Sequence, residues 1–97
     1  MPDTKVFYVY ILYSLKTEIY YKGCTQDLSQ RVKRHNAGKV KSTKGHRPWK
    51  LIYFEKFETR TEARKRENFF KSPPGHFWLK AQNIICERDN EGGQVSE

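Results

Sequence analysis

The feature that most constrains the fold is an uninterrupted apolar run over residues 6–13, near the start of the chain. All of its residues are β-branched, aromatic or aliphatic, which is typical of a mostly buried strand. A polar, turn-like segment over residues 14–18 separates this run from residues 19–23, which predict a second strand. Because so short a connection favours antiparallel pairing, the two strands are expected to form a hairpin.

Capping signals predict a first helix after the hairpin. Asp27 is a good N-cap, and Gln30 follows it at the spacing of a capping box. Gly38 marks the end of this helix because glycine accepts the left-handed backbone of a C-cap. Residues 49–57 are rich in aromatic and β-branched side chains and predict a third strand, which Pro48 confines to a strand edge or start.

Two further helices are predicted in the second half of the chain. The Thr59-Arg-Thr-Glu62 segment has the pattern of a capping box and predicts a helix from about residue 60 to residue 71. Ser72-Pro73-Pro74 is expected to break it before a short third helix over residues 75–82. The predicted fold class is therefore α+β, a small three-stranded antiparallel sheet flanked by about three helices in one domain over residues 1–85.

The charge distribution predicts a polyanionic partner. The chain carries 19 Lys and Arg against 11 Asp and Glu, with a net charge of +8. Residues 1–86 hold 18 basic and 7 acidic side chains, whereas the last residues are acidic. A folded body this basic attracts nucleic acid, although a solvated basic surface without a partner is the alternative. Residues 86–97 are expected to form an acidic, disordered tail.

The cysteines and the N-terminus predict the compartment. Cys24 and Cys86 lie far apart, the chain opens without a secretion signal, and its longest apolar run is too short to cross a bilayer. We therefore expect a cytoplasmic protein with free thiols and no membrane partner.

Two tripeptides and three later side chains follow the order of a known family. Tyr8-Val9-Tyr10 lies on the first predicted strand and Tyr21-Lys22-Gly23 on the second. Arg31 and His35 follow on the first helix, and Glu67 lies on the second. In this order they resemble the GIY-YIG nuclease domain over residues 5–83. Tyr8 and Lys22 depart from the two motifs, but at variable positions.

The resemblance implies the GIY-YIG nuclease fold and a metal-dependent DNA endonuclease that uses Mg²⁺ or Mn²⁺. Members of the family act in DNA repair, recombination, restriction and intron homing. Larger members carry a separate DNA-binding domain that selects the site. No such domain is evident here, so we expect low sequence specificity, with recognition of DNA structure, single strands or ends. RNA remains open as a substrate.

The two phenols and the arginine carry chemical groups that suit catalytic roles. Tyr10 and Tyr21 can orient or deprotonate an attacking water, while core packing with the hydroxyl at the rim is the alternative. Arg31 offers paired donors with a permanent charge, which suits the scissile phosphate. The alternative for Arg31 is a solvated helix side chain.

His35 and Glu67 complete the predicted catalytic set. His35 shares a helix face with Arg31 and would contact phosphate or support Arg31, unless it serves only the helix C-terminus. Glu67 lies on the apolar helix face and needs a charge partner or a metal there. One carboxylate with waters and phosphate oxygens suits Mg²⁺. A helix ion pair from Glu67 to Lys71 or Arg64 is the alternative.

Basic side chains outside this set are candidates for contact with the nucleic-acid backbone, where they would make binding strongly salt dependent. They are Lys22, Lys39, Lys41, Lys44, Arg47 and Lys71. Trp49 and Trp78 would stack on bases or, as each lies in an apolar stretch, pack in the core. Two other functions stay open: a non-catalytic nucleic-acid-binding module that retains the nuclease fold, and an interaction domain for an acidic protein.

Overall fold

The computed structural model describes residues 5–86 and the backbone of a two-residue strand near the C-terminus. The strands are β1 (Phe7–Ser14), β2 (Tyr20–Thr25), β3 (Trp49–Phe57) and β4 (Gln94–Val95). They form one sheet in the order β3-β1-β2-β4, in which β1 pairs antiparallel with β2 and β3, and β4 lies parallel to β2. The predicted three-stranded antiparallel sheet is confirmed, and the apolar run forms its central strand.

The disordered tail predicted over residues 86–97 falls mainly outside the described residues. Cys86 and the backbone of β4 are described, and β4 adds to the outer edge of β2. The rest of the tail prediction stays a prediction.

The helices begin where the capping signals indicate. The Asp27 side chain accepts a hydrogen bond from the backbone N–H of Gln30 at 3.1 Å, and α1 (Leu28–Asn36) follows. The Thr59 hydroxyl accepts one from the N–H of Glu62 at 3.2 Å, and α2 (Arg60–Lys71) follows. These side chains satisfy N–H groups that have no partner within the helix.

The third helix, α3 (Pro73–Ala81), begins two residues before the predicted start. Ser72 ends α2 and also caps α3, where its hydroxyl accepts from the N–H of Gly75. Both prolines therefore lie in the first turn of α3, which needs no N–H from them. The prediction was wrong in treating the two prolines only as a break.

The helices cover the two faces of the sheet. On one face, α2 and α3 pack on β1 through a core that includes Val9, Ile11, Phe70 and Leu79. On the other face, α1 packs against a second core that is built from Tyr10, Leu12, Tyr21 and Trp49. Successive strand side chains point to opposite faces, which is how β1 supplies both cores. No helix in the described part of the chain has the length and apolar character needed to span a membrane.

Both tryptophans pack against other parts of the protein. Trp49 is buried and donates its Nε1–H to the backbone oxygen of Thr43 at 2.9 Å. The Trp78 ring stacks on Phe70 with 5.9 Å between the ring centroids. The packing alternative therefore accounts for both residues.

Candidate active site

A cleft of about 440 Å³ opens beside the C-terminal end of β2. It lies beyond Tyr20 and Tyr21, the two residues of β2 that pair with β4. Side chains from both faces of the sheet reach it around this edge. It is lined by Phe7, Tyr10, Tyr21, Cys24, Thr25, Gln26, Asp27, Arg31, Arg60, Arg64 and Glu67. The structure thus brings together Tyr10, Tyr21, Arg31 and Glu67, and leaves His35 out of the cleft wall.

The strand register places the two phenols side by side. Tyr10 pairs with Gly23 and Leu12 with Tyr21, so the tyrosines are diagonal neighbours on one face with ring centroids 6.1 Å apart. Gly23 makes room for both rings. A Cβ atom there would lie 2.6 Å from the Tyr10 hydroxyl and 2.9 Å from the Tyr21 ring. The glycine of the second tripeptide is therefore a packing requirement of the paired phenols.

His35 lies fully buried behind Tyr10. Its Nε2 is 3.0 Å from the Tyr10 hydroxyl, and its Nδ1 is 2.8 Å from the Thr43 hydroxyl. Thr43 donates its own proton to the backbone oxygen of Val40, so its oxygen accepts from Nδ1–H of His35. Nε2 is then the acceptor for the Tyr10 hydroxyl proton. Direct contact between His35 and a phosphate is not available to a side chain without exposed surface, and that part of the prediction is corrected.

Three guanidinium groups give the cleft a positive wall. Arg31 on α1 is half-buried, and Arg60 and Arg64 on α2 are exposed. Arg60, Arg64 and Glu67 are spaced to share one face of α2. Sequence reasoning named Arg64 only as an ion-pair partner of Glu67 and missed Arg60, although the spacing of both arginines relative to Glu67 was the signal that would have placed them in the cleft.

Charged side chains from α1 and α2 lie close enough to Cys24 to act on the pKa of its thiol. Burial raises the pKa of the half-buried Cys24 thiol, and the negative charge of Glu67 raises it further. The positive charges of Arg64, Arg60 and Arg31 act on the pKa in the opposite direction. The carboxylate and the guanidinium groups of two different helices therefore lie around one point of β2.

Glu67 is almost buried, with 9% of its surface exposed, and lines the cleft from α2. Its Oε2 accepts a hydrogen bond from Lys71 Nζ at 3.0 Å. The predicted inward orientation and the alternative ion pair with Lys71 thus occur together. Lys71 retains 28% of its side-chain exposure within this pair.

A single carboxylate is a sufficient protein ligand for Mg²⁺, which keeps several waters and is often held by one or two carboxylates and phosphate oxygens. Glu67 fits this requirement because it lines a polar cleft that also suits a phosphate. Within the described residues, no three His, Cys, Asp or Glu side chains cluster as a metal site. Glu67 could therefore hold a hydrated Mg²⁺ or Mn²⁺ in this cleft.

Lys22 does not share the basic surface predicted for it. It lies opposite Ile11 on the α2 side of the sheet and is only 1% exposed. Burial lowers the pKa of its ammonium group to about 8, and the nearby charge of Lys71 acts in the same direction. A side chain with so little surface cannot grip a nucleic-acid backbone, so this prediction is corrected.

Lys71 is half-buried in its ion pair with Glu67, whereas the other four predicted backbone contacts are exposed and lie outside the cleft. Lys39, Lys41, Lys44 and Arg47 occupy the loop between α1 and β3. Lys41, Lys44 and Arg47 line a separate depression of about 580 Å³ with Lys16, which comes from the hairpin turn. This basic loop forms a second positive region of the surface.

Comparison with known proteins matches residues 6–76 to the GIY-YIG catalytic domain. UPF0213 protein CPE1444 of Clostridium perfringens is 49% identical over 66% of this chain and 69% of its own length. UPF0213 protein YazA of Bacillus subtilis is 43% identical over 71% of this chain and 70% of its own. The match to UPF0213 protein lwe0147 of Listeria welshimeri, 57% identical, covers 54% of this chain but only 59% of that relative. A solution NMR structure of UPF0213 protein BH0048 from Bacillus halodurans covers 79% of this chain and 84% of its own at 34% identity, with a TM-score of 0.49.

Proposed function

This chain belongs to the GIY-YIG nuclease superfamily, and on that premise we propose that it is a metal-dependent endonuclease. It hydrolyses phosphodiester bonds in DNA with low sequence specificity. The observation that carries the proposal is the single cleft that is lined by Tyr10, Tyr21, Arg31 and Glu67. Binding alone would need the arginine but not two phenols and an almost buried carboxylate beside it.

Tyr10 is the residue best placed to take a proton from the attacking water. Because Nδ1–H of His35 donates to Thr43, the Tyr10 hydroxyl is the donor to Nε2, 3.0 Å away. As the water proton passes to the phenolic oxygen, the phenol proton passes to Nε2, and Nδ1 keeps its proton on the Thr43 hydroxyl. Tyr21 lies beside Tyr10 and orients the water or a phosphate oxygen. His35 and Thr43 act through Tyr10 as positioning residues.

The arginines stabilise the charge that builds on the phosphate oxygens. The guanidinium of Arg31 offers paired N–H donors, which bind two oxygens of the scissile phosphate at once. A guanidinium also keeps its positive charge throughout the reaction. Arg60 and Arg64 add positive charge from the opposite wall of the cleft. Donors fixed where charge develops lower the barrier more than mobile water does.

Glu67 is the proposed protein ligand of Mg²⁺ or Mn²⁺. Such an ion supplies Lewis-acid polarisation of the phosphate and stabilises the leaving oxygen. The role of Glu67 is to hold the ion against the cleft wall. The proposal includes a cytoplasmic location, which the free thiols of Cys24 and Cys86 support. It also includes a role in DNA repair, which follows only from the family.

The test is cleavage of plasmid, branched and single-stranded DNA with Mg²⁺ or Mn²⁺, with RNA as a parallel substrate. We expect Glu67→Ala and Arg31→Ala to reduce cleavage by about a hundredfold or more. Glu62→Ala and Arg34→Ala are matched controls because they remove exposed side chains of the same type from the same helices. Undiminished cleavage in both cleft variants would rule out the proposed site.

A second function is favoured by one observation. The exposed cations of the basic loop lie away from the cleft, so they are available to a nucleic-acid backbone whether or not the chain cuts it. A non-catalytic binding module would show salt-sensitive gel shifts that depend on Lys41 and Lys44. It would show no cleavage with either metal, and its binding would be insensitive to Tyr10→Phe.

A further inference from the structure

An apolar groove of about 660 Å³ adjoins the cleft on the α1 side of the sheet. Tyr8 and Phe54 contribute its aromatic surface, Leu28 and Val32 of α1 contribute aliphatic surface, and Lys33 and Lys56 also line it. We call it the aromatic groove. Phe54 is 46% exposed, which is a large apolar surface to leave in water.

The strand register fixes the aromatic groove relative to the catalytic candidates. Phe54 pairs with Tyr10 across β1 and β3, and Tyr8 pairs with Thr25 across β1 and β2. Tyr8 and Phe54 therefore share the sheet face of Tyr10, with Tyr8 about 7 Å along β1 from it. Their rings meet edge to face with centroids 5.9 Å apart, at an interplanar angle of 69°.

The aromatic groove is continuous with the cleft. Gln26 and Asp27, at the start of α1, line both of them. A polyanionic strand that leaves the cleft past these residues meets the exposed ammonium groups of Lys33 and Lys56. Asp27 is the one acidic side chain of the groove lining, and its carboxylate accepts the N–H of Gln30 at the helix cap.

We propose that the aromatic groove is a base-stacking subsite for an unpaired nucleotide next to the scissile phosphate. The proposal rests on the function proposed above, because the cleft is what holds that phosphate. Aromatic surface with flanking cations is the usual means of binding single-stranded nucleic acid, since every base offers a π-face. In a duplex those faces stack on one another and are not available to Phe54. The subsite thus selects single-stranded segments, such as flaps or ends.

The test measures binding apart from cleavage. Fluorescence anisotropy in EDTA compares a labelled single-stranded oligonucleotide, its duplex, and the same single strand with abasic positions. We expect Phe54→Ala to weaken binding of the normal single strand by about tenfold and to leave duplex and abasic binding nearly unchanged. Phe54→Trp should retain single-strand binding. Phe77→Ala is the matched control, because Phe77 is a 71% exposed phenylalanine on α3, outside the groove lining.

The possible outcomes distinguish failure of the base-stacking subsite from failure of the proposed nuclease activity. Unchanged single-strand binding in Phe54→Ala, or an equal loss on all three ligands, overturns the subsite. A wild-type dimer in sedimentation that becomes a monomer in Phe54→Ala also overturns it, because a second copy then covers the groove. Cleavage with Mg²⁺ is measured separately on the same proteins. A wild type that binds as expected but never cleaves overturns the nuclease and leaves base stacking supported.

Discussion

The hydroxyl of Tyr10 lies 3.0 Å from Nε2 of His35, which joins two buried residues that are 25 positions apart in the chain. The bond connects the central strand β1 to the last turn of α1. The aromatic ring of Tyr21 lies against the same imidazole, with 4.8 Å between the ring centroids. Both phenols of the cleft therefore contact one fully buried histidine that the substrate cannot touch.

Replacing Thr43 by valine tests this arrangement through the tautomer of His35. Valine keeps the shape of threonine but removes the acceptor 2.8 Å from Nδ1. The imidazole is then free to carry its proton on Nε2, where it no longer accepts from Tyr10. We expect the unfolding free energy to fall by about 1–3 kcal/mol and cleavage to slow by about tenfold with an altered pH–rate profile.

Thr61→Val is the control for this variant, because Thr61 is exposed on α2 and is not part of the cleft lining. Urea denaturation measures stability, and initial cleavage rates across the pH range measure activity. A Thr43→Val protein with reduced stability but an unshifted profile would show that Thr43 supports packing only.

Gly23→Ala is predicted to damage activity more than stability. The added Cβ would lie 2.6 Å from the Tyr10 hydroxyl and 2.9 Å from the Tyr21 ring, so both rings must move. A displacement of about 1 Å at reacting groups typically costs about a hundredfold in rate. We expect a loss of that size in cleavage, with about 1–3 kcal/mol of destabilisation.

Gly45→Ala is the matched glycine variant, because a Cβ there meets no atom within 4 Å. It should retain full cleavage. If Gly23→Ala cleaves at the wild-type rate while it remains folded, the close packing of the phenols is not needed for the reaction.

Lys22→Met is predicted to stabilise the protein near neutral pH. Burial lowers the pKa of Lys22 to about 8, from 10.5, so below pH 8 the folded state carries the full cost of a buried charge. Between these two values the folded state releases the proton first, and stability should rise with pH. Such a shift corresponds to an upper bound on the order of 3 kcal/mol, which methionine removes.

The measurement is the free energy of unfolding in urea at pH 7, 8 and 9 for wild type and Lys22→Met. The stability difference should shrink as the pH rises, because wild-type Lys22 becomes neutral in the folded state. Lys50→Met, at an exposed position of β3, should show no such trend. Parallel curves for wild type and Lys22→Met would contradict the lowered pKa.

The elements that the sequence predicts well are those with local signals. The apolar run of β1 and the caps at Asp27 and Thr59 depend only on neighbouring residues, and the structure confirms all three. The role of Ser72 was harder to predict, because the same segment ends one helix and starts the next. Prolines signal both events, and only the packing of α3 decides between them.

The residues of the candidate site differ in the same way in how far the sequence predicts their positions. The resemblance to the GIY-YIG family, carried by the order of the tripeptides and helices, implies that Tyr10, Tyr21, Arg31 and Glu67 lie together, and all four line the cleft. The partner of His35 lies on another element, and no local pattern specifies which side of α1 faces Tyr10. The prediction that Lys22 contacts a nucleic-acid backbone was wrong for a related reason. Alternation along β2 puts it on the face opposite Tyr21, but only the packing of α2 shows that this face is covered.

Lys71 is predicted to compete with a metal ion for Glu67. Its ammonium group lies 3.0 Å from Oε2, so a divalent cation that binds this carboxylate meets a positive charge and a ligand oxygen already engaged. Lys71→Gln removes the charge and keeps a donor, and should tighten Mn²⁺ binding several-fold, on the order expected for a like charge in a partly exposed site. Glu67→Gln should abolish binding.

Titration calorimetry with Mn²⁺ in the absence of DNA measures this directly, and Lys65→Gln is the control because Lys65 is exposed on the same helix. The rate of cleavage adds a second readout. If Lys71 only competes, Lys71→Gln cleaves at lower metal concentration with the same maximal rate. If Lys71 moves to the phosphate once the ion binds, the maximal rate falls although the metal binds more tightly. Mn²⁺ affinity that is unchanged in Lys71→Gln, or that survives Glu67→Gln, would place the ion elsewhere in the cleft and remove the carboxylate from the proposed mechanism.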